Sequence, residues 1–457
     1  MIKLNCGCGG EILPNAEGWV NIDYQKGLGV DRVINLEKED LDYPDNSVDH
    51  ILLRDFLEHL SKHRQQSFLE NVYRVLKPGG DIYIQLPDLE TLAKRYLNIL
   101  ENPTDMQHPL TAEQFAASLY GGQENEGNFH KWGYDAFSLA QRLIGIGFMI
   151  QYVHGDGGQN LLCNSLKPPE KIYLAVGGGI GDVIQICLSN PEAHNIFNEY
   201  PSTNPITSIW LHRLKYLKEK YNVAIRLYVQ SHNNFTSKLF TNNPYIDELI
   251  VIEWGNRILL ESSNHWLNDI DGYTSIAKFE EAYKFIPVSN EVLFLSESEQ
   301  TAIDKIKGVG KYIVVHPFAG NVHRQVPSIS KYVEIVKALK DKYKVIVIGQ
   351  EGEVFLSDFG VINLIGKTSP KVSVNVILNA AGFIGTHSSM ILPAWYKEIP
   401  TVCLVPPTHD GGQTFEEFFA SDNPTVYGNK RPINKTIIVR DNNIDIQGIV
   451  GHFKEYI

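Results

Sequence analysis

The feature that most constrains this chain is a pair of glycine-rich loops, each placed directly after a short apolar strand. KLNCGCGG (Lys3–Gly10) lies near the N-terminus, and IYLAV (Ile172–Val176) runs into GGGIGD (Gly177–Asp182). Glycine lets the backbone approach a ligand closely, and a strand feeding such a loop is nucleotide-binding logic in α/β sheets. Two loops mean either two nucleotide sites or one site and one tight turn. The rest of the chain alternates strand and helix patterns, which points to α/β layers with parallel sheets.

In the first third, strands are expected at Met1–Asn5, Trp19–Asp23, Val33–Asn35, Val48–Leu53, Ile82–Leu86 and Gly147–Val153. Helical spacing covers Lys62–Leu76 and stops at Lys77-Pro-Gly-Gly80, read as a helix stop followed by a turn; Phe137–Gly145 is a second helix. Leu166-Lys-Pro-Pro-Glu170 is the clearest linker, and a fresh strand starts at Lys171–Val176. A second break falls around Ser296–Gly310, where a short charged helix (Glu297–Lys307) precedes strand Tyr312–His316, helix Ser330–Lys340 and strand Lys344–Ile348. The 457 residues therefore divide into three α/β units, 1–165, 171–300 and 308–457.

The formal net charge of −12 argues against a broad nucleic-acid surface, which needs clustered Lys and Arg, so nucleic acid is not an expected partner. No run of apolar residues is long enough to cross a bilayer, and the first residues have a strand pattern in place of a leader; a cytoplasmic protein is expected. The five cysteines (Cys6, Cys8, Cys163, Cys187, Cys403) show no paired spacing, so neither a disulfide framework nor a metal site is expected.

At the first loop, an acidic residue ends the next strand, WVNID, and Asp23 is the natural partner of ribose hydroxyls. On spacing alone a plain turn is an equal competitor. The wider set LNCGCGG, GWVNID, LDYPDNSVDHILLRDFLEHL, RVLKPGG and LPDL resembles class I S-adenosylmethionine-dependent methyltransferases over roughly residues 1–160. The resemblance implies that the Gly7-Cys8-Gly9 loop lines the methionine moiety, that Asp23 holds the ribose and that Leu36 or Glu37 lies near the adenine. It also turns the segment Arg54–His59 toward the transferred methyl. Methyl transfer to a hydroxyl needs a base near the acceptor. His59 and His130 (in NFHKWGYD) are the candidates, with Asp55 as an orienting carboxylate; a capping histidine and a loop histidine packed on Trp132 are the bland alternatives.

At the second loop, no acidic residue closes a following strand ~20 residues on, as a dinucleotide fingerprint requires. Asp182 sits at the loop mouth instead, as a base or as a helix N-cap. GGIGDVI, NNPYIDELIVIEW, HPFAGNVHRQVP, NLIGKTS and FIGTHSSMILPAWYKEIPTVCLV together resemble ADP-heptose:lipopolysaccharide heptosyltransferases, over about residues 170–410. That resemblance implies two facing Rossmann-like domains in the GT-B arrangement, with the sugar nucleotide held mainly by the second. Asp182 then matches the base that deprotonates the acceptor hydroxyl, and Arg324 the cation that stabilises the departing diphosphate. His316 lies on the donor side, and Gly385, Thr386, His387, Ser388 and Ser389 fall on the stretch that lies against the donor, a loop leading into a helix N-terminus. Where the family carries Asp in that stretch this chain has His387, and the family's following His is Leu392.

The sequence thus points to a methyltransferase fused to a glycosyltransferase. It would use S-adenosylmethionine and a nucleotide sugar, an ADP-sugar being favoured, on a glycan or glycolipid acceptor, with no metal expected. Three alternatives stay open: a methyltransferase with a degenerate sugar-binding half, a non-catalytic scaffold, and modification of a nucleobase.

Overall fold

The computed structural model describes residues 1–101, 112–176, 183–184, 187–188, 211–231, 236–253, 292–319, 328–350, 353, 360–406, 435–440 and 444–457. Two expected site residues, Asp182 and Arg324, lie outside the described residues, as does the rest of the GGGIGD loop. Contacts group the chain into two compact units, one containing a seven-stranded sheet and the other a six-stranded sheet.

The first sheet comprises β1 (Lys3–Cys6), β2 (Trp19–Asp23), β3 (Arg32–Val33), β4 (Val48–Arg54), β5 (Leu76–Pro87), β6 (Met149–Gly155) and β7 (Asn160–Leu166). Its order is β3-β2-β1-β4-β5-β7-β6. The first five strands are parallel and β7 runs antiparallel between β5 and β6. Side chains alternate along β5, so Ile82, Ile84 and Leu86 are wholly buried while Tyr83 and Gln85 are partly exposed. Helix α1 (Lys62–Val75) begins at Ser61, whose Oγ accepts from the Arg64 N–H at 3.4 Å. It buries Phe68, Leu69, Val72 and Val75, a stripe of helical period. Helices α2 (Leu89–Glu101) and α3 (Ala112–Tyr120) follow, and α4 (Ala136–Ile146) is fixed at its start by an Asp135–Ser138 capping box.

The Lys77–Gly80 stretch differs from the expected free turn. Helix α1 stops at Val75, but β5 starts at once: Val48 lies opposite Leu76 and His50 opposite Asp81, so Lys77–Gly80 is an irregularity carried within the strand. The Gly79 N–H donates to the Lys167 carbonyl and the Lys167 N–H to the Gly80 carbonyl, both at 2.9 Å. The start of the expected linker is therefore tied to this irregularity.

The six-stranded sheet is made of β11 (Tyr312–His316), β12 (Lys344–Val347), β13 (Ile362–Asn363), β14 (Gly382–Thr386), β15 (Thr401–Val405) and β16 (Thr436–Arg440). All its strands are parallel, in the order β13-β12-β11-β14-β15-β16. Counted within the sheet this is 3-2-1-4-5-6, the doubly wound Rossmann order. Strands buried on both faces read as continuous apolar runs, as YIVVH and TVCLV do here. A smaller sheet orders β8 (Lys171–Val176), β9 (Ala224–Ser231) and β10 (Glu248–Glu253) as β10-β9-β8. Its β10 and β9 pair in parallel. No helix among the described residues is long and apolar enough to cross a membrane.

Candidate functional site

In open α/β sheets ligands bind beyond the carboxyl ends of the strands, where the strand order reverses. In the seven-stranded sheet that point lies between β1 and β4. The glycine loop leaves β1 there, Asp23 ends β2 and Arg54 ends β4.

The loop is built around one carbonyl and one carboxylate. The Gly7 and Cys8 N–H groups donate to the Ile22 carbonyl at 2.8 and 3.1 Å. The Gly9 N–H donates to Asp23 Oδ2 at 2.9 Å, and the Gln25 N–H to Asp23 Oδ1 at 3.0 Å. Gly7 holds φ of +68°, and a Cβ there would lie 2.1 Å from the Phe56 ring, so only glycine fits. A Cβ added at Gly9, at φ +48°, or at Gly10 would meet nothing within 4 Å. The loop therefore presents bare backbone to open space beside a carboxylate with unused lone pairs.

Two asparagines that sequence reasoning passed over hold this geometry. Buried Asn5 donates to the Glu11 carbonyl at 2.7 Å and to Asn21 Oδ1 at 3.0 Å. Buried Asn21 in turn bonds both the N–H and the carbonyl of Leu13 at 2.9 Å. They occupy the second motif positions of LNC and VNID, a signal present in the sequence. Cys8 is buried beside them, and burial, with Asp23 adding, pushes its thiol up to about 11, so it stays an uncharged loop residue at neutral pH.

The other expected cofactor residues take different positions. Arg54 pairs with Glu11 across the loop mouth, Nη1 to Oε2 at 2.6 Å. Leu36 is buried and its carbonyl accepts from Arg64 Nε at 2.8 Å. Glu37 Oε2 accepts the Ser61 N–H at 3.0 Å and lies 3.4 Å from Lys131 Nζ. Burial pushes the Glu37 carboxyl up, but the Ser61 hydrogen bonds and Lys131 outweigh it, and the net shift is downward.

The segment after β4 turns sharply. Asp55 sits at φ +47°, unusual for a residue with a side chain, and its N–H reaches the Gln85 carbonyl at 2.9 Å. Its carboxylate is exposed in area yet crowded by neighbouring atoms; that crowding raises its carboxyl against the opposing Gln85 hydrogen bonds. A short helical turn, Leu57–His59, follows. The fold brings His59 and His130 together, ring centroids 4.8 Å apart and edge-to-face. The Lys131 N–H to the Glu58 carbonyl, at 2.7 Å, pins the His130 loop to this turn, and Lys62 lies over the Trp132 ring at 4.5 Å. His59 Nδ1 lies 3.2 Å from the Phe129 carbonyl and His130 Nδ1 2.9 Å from the Ser118 carbonyl. A carbonyl only accepts, so in both rings Nδ1 carries the proton and Nε2 the lone pair. Burial lowers both imidazoles below the ordinary histidine range, His130 adding to the effect at His59. Glu58, overlooked in the sequence, is only 2% exposed, and burial pushes its carboxyl up to about 8. With His59 and His130 it forms a group whose potential ligand atoms lie within 4.8 Å of one another.

In the six-stranded sheet the reversal lies between β11 and β14, and His316 pairs in register with Gly385 there. A Cβ on Gly385 would lie 2.7 Å from the His316 carbonyl, so glycine is required by close approach of the two strands. Ser388 Oγ lies 3.1 Å from His316 Nδ1. Thr386 is buried, while His387, Ser388 and Ser389 are partly exposed and lead into a short turn, Ser389–Ile391, and the helix Leu392–Tyr396. Of the expected donor-side residues, the structure therefore gathers His316, Gly385, Thr386, His387, Ser388 and Ser389 at one strand end.

Burial lowers His316 to about 4. Its folded value is below the ordinary ~6.5 of an unfolded histidine, so the unfolded chain binds the extra proton between pH 6.5 and about 4. Stability from this group is complete above pH 6.5 and is lost as pH falls toward 4. Between pH 7 and 5 the loss is about 2 kcal/mol, and His316→Asn is expected to lose that much less over the same interval in urea titrations.

Residues 6–84, from the end of β1 into β5, match the family model described as a methyltransferase domain. Among solved structures, the ADP-heptose lps heptosyltransferase II of E. coli is 13% identical, with TM-score 0.35, covering 63% of this chain and 98% of its own. The glycosyl transferase family 9 structure from Veillonella parvula is 11% identical, with TM-score 0.36, covering 63% of this chain and 90% of its own. The 1,6-didemethyltoxoflavin-N1-methyltransferase of Burkholderia thailandensis, solved with S-adenosylhomocysteine, is 15% identical, with TM-score 0.25, covering 36% of this chain and 71% of its own. No curated protein matches the chain.

Proposed function

We propose that the chain is a bifunctional transferase. Residues 1–165 would move a methyl group from S-adenosylmethionine to a sugar hydroxyl. Residues 171–300 and 308–457 would form a GT-B pair that transfers a sugar from a nucleotide sugar, an ADP-sugar by preference, to a glycan or glycolipid. The observation that carries the first half is the Gly9–Asp23 hydrogen bond beside open glycine backbone, with His59, on the turn after β4, paired with His130.

The residues fit the adenosyl donor. Asp23 keeps lone pairs for both ribose hydroxyls, and Gly9 and Gly10 leave room for the methionine backbone. When bound, the donor supplies an electrophilic methyl on sulfur. One of the two imidazoles, neutral at pH 7 with its Nε2 lone pair available, takes the proton of the acceptor hydroxyl. The acceptor oxygen, so deprotonated, would attack that methyl, the electron pair of the broken carbon–sulfur bond staying on sulfur.

In the second half Asp182 is the proposed base for the acceptor hydroxyl and Arg324 the proposed partner of the departing diphosphate. The gathered residues at the β11 and β14 ends would lie against the donor. His387 in place of an acid at the sugar-contacting position favours one competing reading, a second half that binds sugars without turnover.

The test is incubation of the full chain with methyl-labelled S-adenosylmethionine and, separately, with ADP-, UDP-, GDP- and CMP-sugars over a panel of oligosaccharide acceptors. Label on an acceptor, lost in His59→Ala or His130→Ala, together with nucleotide release lost in Asp182→Ala, supports both activities. Methyl transfer with no nucleotide release would reduce the second half to a binding module. Neither activity would sink the proposal.

A further inference from the structure

We propose that Glu58, His59 and His130 form a binding site for a first-row divalent transition cation of the zinc class, beside the glycine loop of the N-terminal sheet. One potential ligand atom from each residue lies within 4.8 Å of the other two. Independently of that spacing, Glu58 Oε2 is buried without a hydrogen-bond partner, in a residue only 2% exposed. Leaving such an oxygen unmet is costly, and more so when it is charged. No neighbouring group stands within hydrogen-bond distance of that oxygen, and both imidazoles spend their Nδ1 proton on backbone carbonyls, Phe129 for His59 and Ser118 for His130. Each then turns a lone pair, not a donor, to its other side. A cation satisfies all three acceptors at once.

The surroundings are those of an oriented ligand set. Histidines that hold a metal commonly donate their other ring N–H to a carbonyl or carboxylate, which fixes tautomer and ring angle. Here both do. The Glu58 carbonyl takes the Lys131 N–H at 2.7 Å and the Trp132 N–H at 3.3 Å, which locks the loop bearing His130 to the turn bearing the other two. Two imidazoles and one carboxylate suit zinc and its first-row neighbours better than magnesium or calcium, which favour all-oxygen sets. Tetrahedral bonds of about 2.0–2.1 Å put ligand atoms about 3.3 Å apart, so closing the site takes small side-chain rotations. Three protein ligands leave at least one position open, where a coordinated hydroxyl would lose its proton to solvent more readily than a free one. The two histidines would then act on the acceptor through the cation. That role rests on the methyltransferase reading; the existence of the site does not.

The experiment is a calorimetric titration of chelator-treated, full-length protein with Zn²⁺ alone, paired with the visible absorption of the Co²⁺-loaded chain. Wild type is expected to bind one ion saturably and to give a low-symmetry cobalt spectrum. Glu58→Gln and His130→Ala are each expected to weaken Zn²⁺ binding by about 100-fold or more, and His154→Ala, an exposed histidine outside the group, to leave it unchanged. No saturable ion in wild type, or wild-type affinity in both variants, overturns the site. If Glu58→Gln fails to fold, as its thermal transition will report, His130→Ala decides alone. S-adenosylhomocysteine is titrated in parallel. Its failure with Zn²⁺ retained counts against the methyltransferase reading only, and the reverse counts against the cation site only.

Discussion

Asp23→Ala is expected to bind S-adenosylhomocysteine roughly 100- to 1000-fold more weakly than wild type while unfolding at nearly the same temperature. The carboxylate has two tasks. Its Oδ2 holds the Gly9 N–H at 2.9 Å and its Oδ1 the Gln25 N–H at 3.0 Å, which shapes the loop. In the proposed function its remaining lone pairs take the ribose hydroxyls. Each hydrogen bond to a charged group contributes about 1.5–3 kcal/mol, so losing two hydroxyl contacts costs about 3–4 kcal/mol even at the low end of that range. That is the stated fold-change. Stability changes little because both N–H groups lie at the exposed edge and water can replace the carboxylate. Asp23→Asn, which keeps one acceptor oxygen, is expected to fall between. Equal affinity in Asp23→Ala would mean that the loop is a turn and no more.

Lys371→Met is the substitution with the largest expected effect on stability. The ammonium is wholly buried at the start of the helix Pro370–Leu378 and 3.0 Å from Glu299 Oε2. It also donates to the Thr241 carbonyl at 2.7 Å, to the Phe294 carbonyl at 2.8 Å and to Thr241 Oγ1 at 3.1 Å. Glu299 meanwhile accepts from Ser369 Oγ at 2.7 Å and from the Ser296 N–H at 2.9 Å, so one carboxylate caps its own helix, Glu297–Lys307, and anchors the start of Pro370–Leu378. Removing one partner of a buried ion pair costs about 3–5 kcal/mol because the other charge is left uncompensated. The partial exposure of Glu299 puts this case at the lower end. Adding Glu299→Gln removes the stranded charge, so the double variant is expected to unfold at higher urea than Lys371→Met alone. A change in Lys371→Met below about 1 kcal/mol, the usual range of an exposed pair, would contradict the buried network.

Much of the fold was legible because its signals are local. Trp19–Asp23, Lys171–Val176, Glu297–Lys307 and Tyr312–His316 form at the expected bounds, each marked by an apolar run, a capping residue or a proline. Strand β7 was not legible. NLLCNSL carries two asparagines and a serine, poor strand formers, and becomes a strand because it is paired on both sides by β5 and β6. The same split runs through the sites. The glycine loop and Asp23 are a motif and were found from it. His59 and His130 were singled out separately, yet their contact spans 71 positions and arises only when the loop of residues 129–132 is pinned to the turn after β4. Glu58 was missed for the same reason. In RDFLEHL it has the look of a polar surface residue, and only tertiary packing makes it a buried carboxylate.

The most direct test of the two-site account is a pair of calorimetric titrations on one preparation of the full chain, first S-adenosylhomocysteine and then the nucleotide-sugar panel. Asp23→Ala and Arg324→Ala are run beside wild type. The account predicts two independent binding events, the adenosyl ligand lost only in Asp23→Ala and one nucleotide sugar lost only in Arg324→Ala. A single shared site, in which either ligand displaces the other, or binding that survives both substitutions, would contradict it.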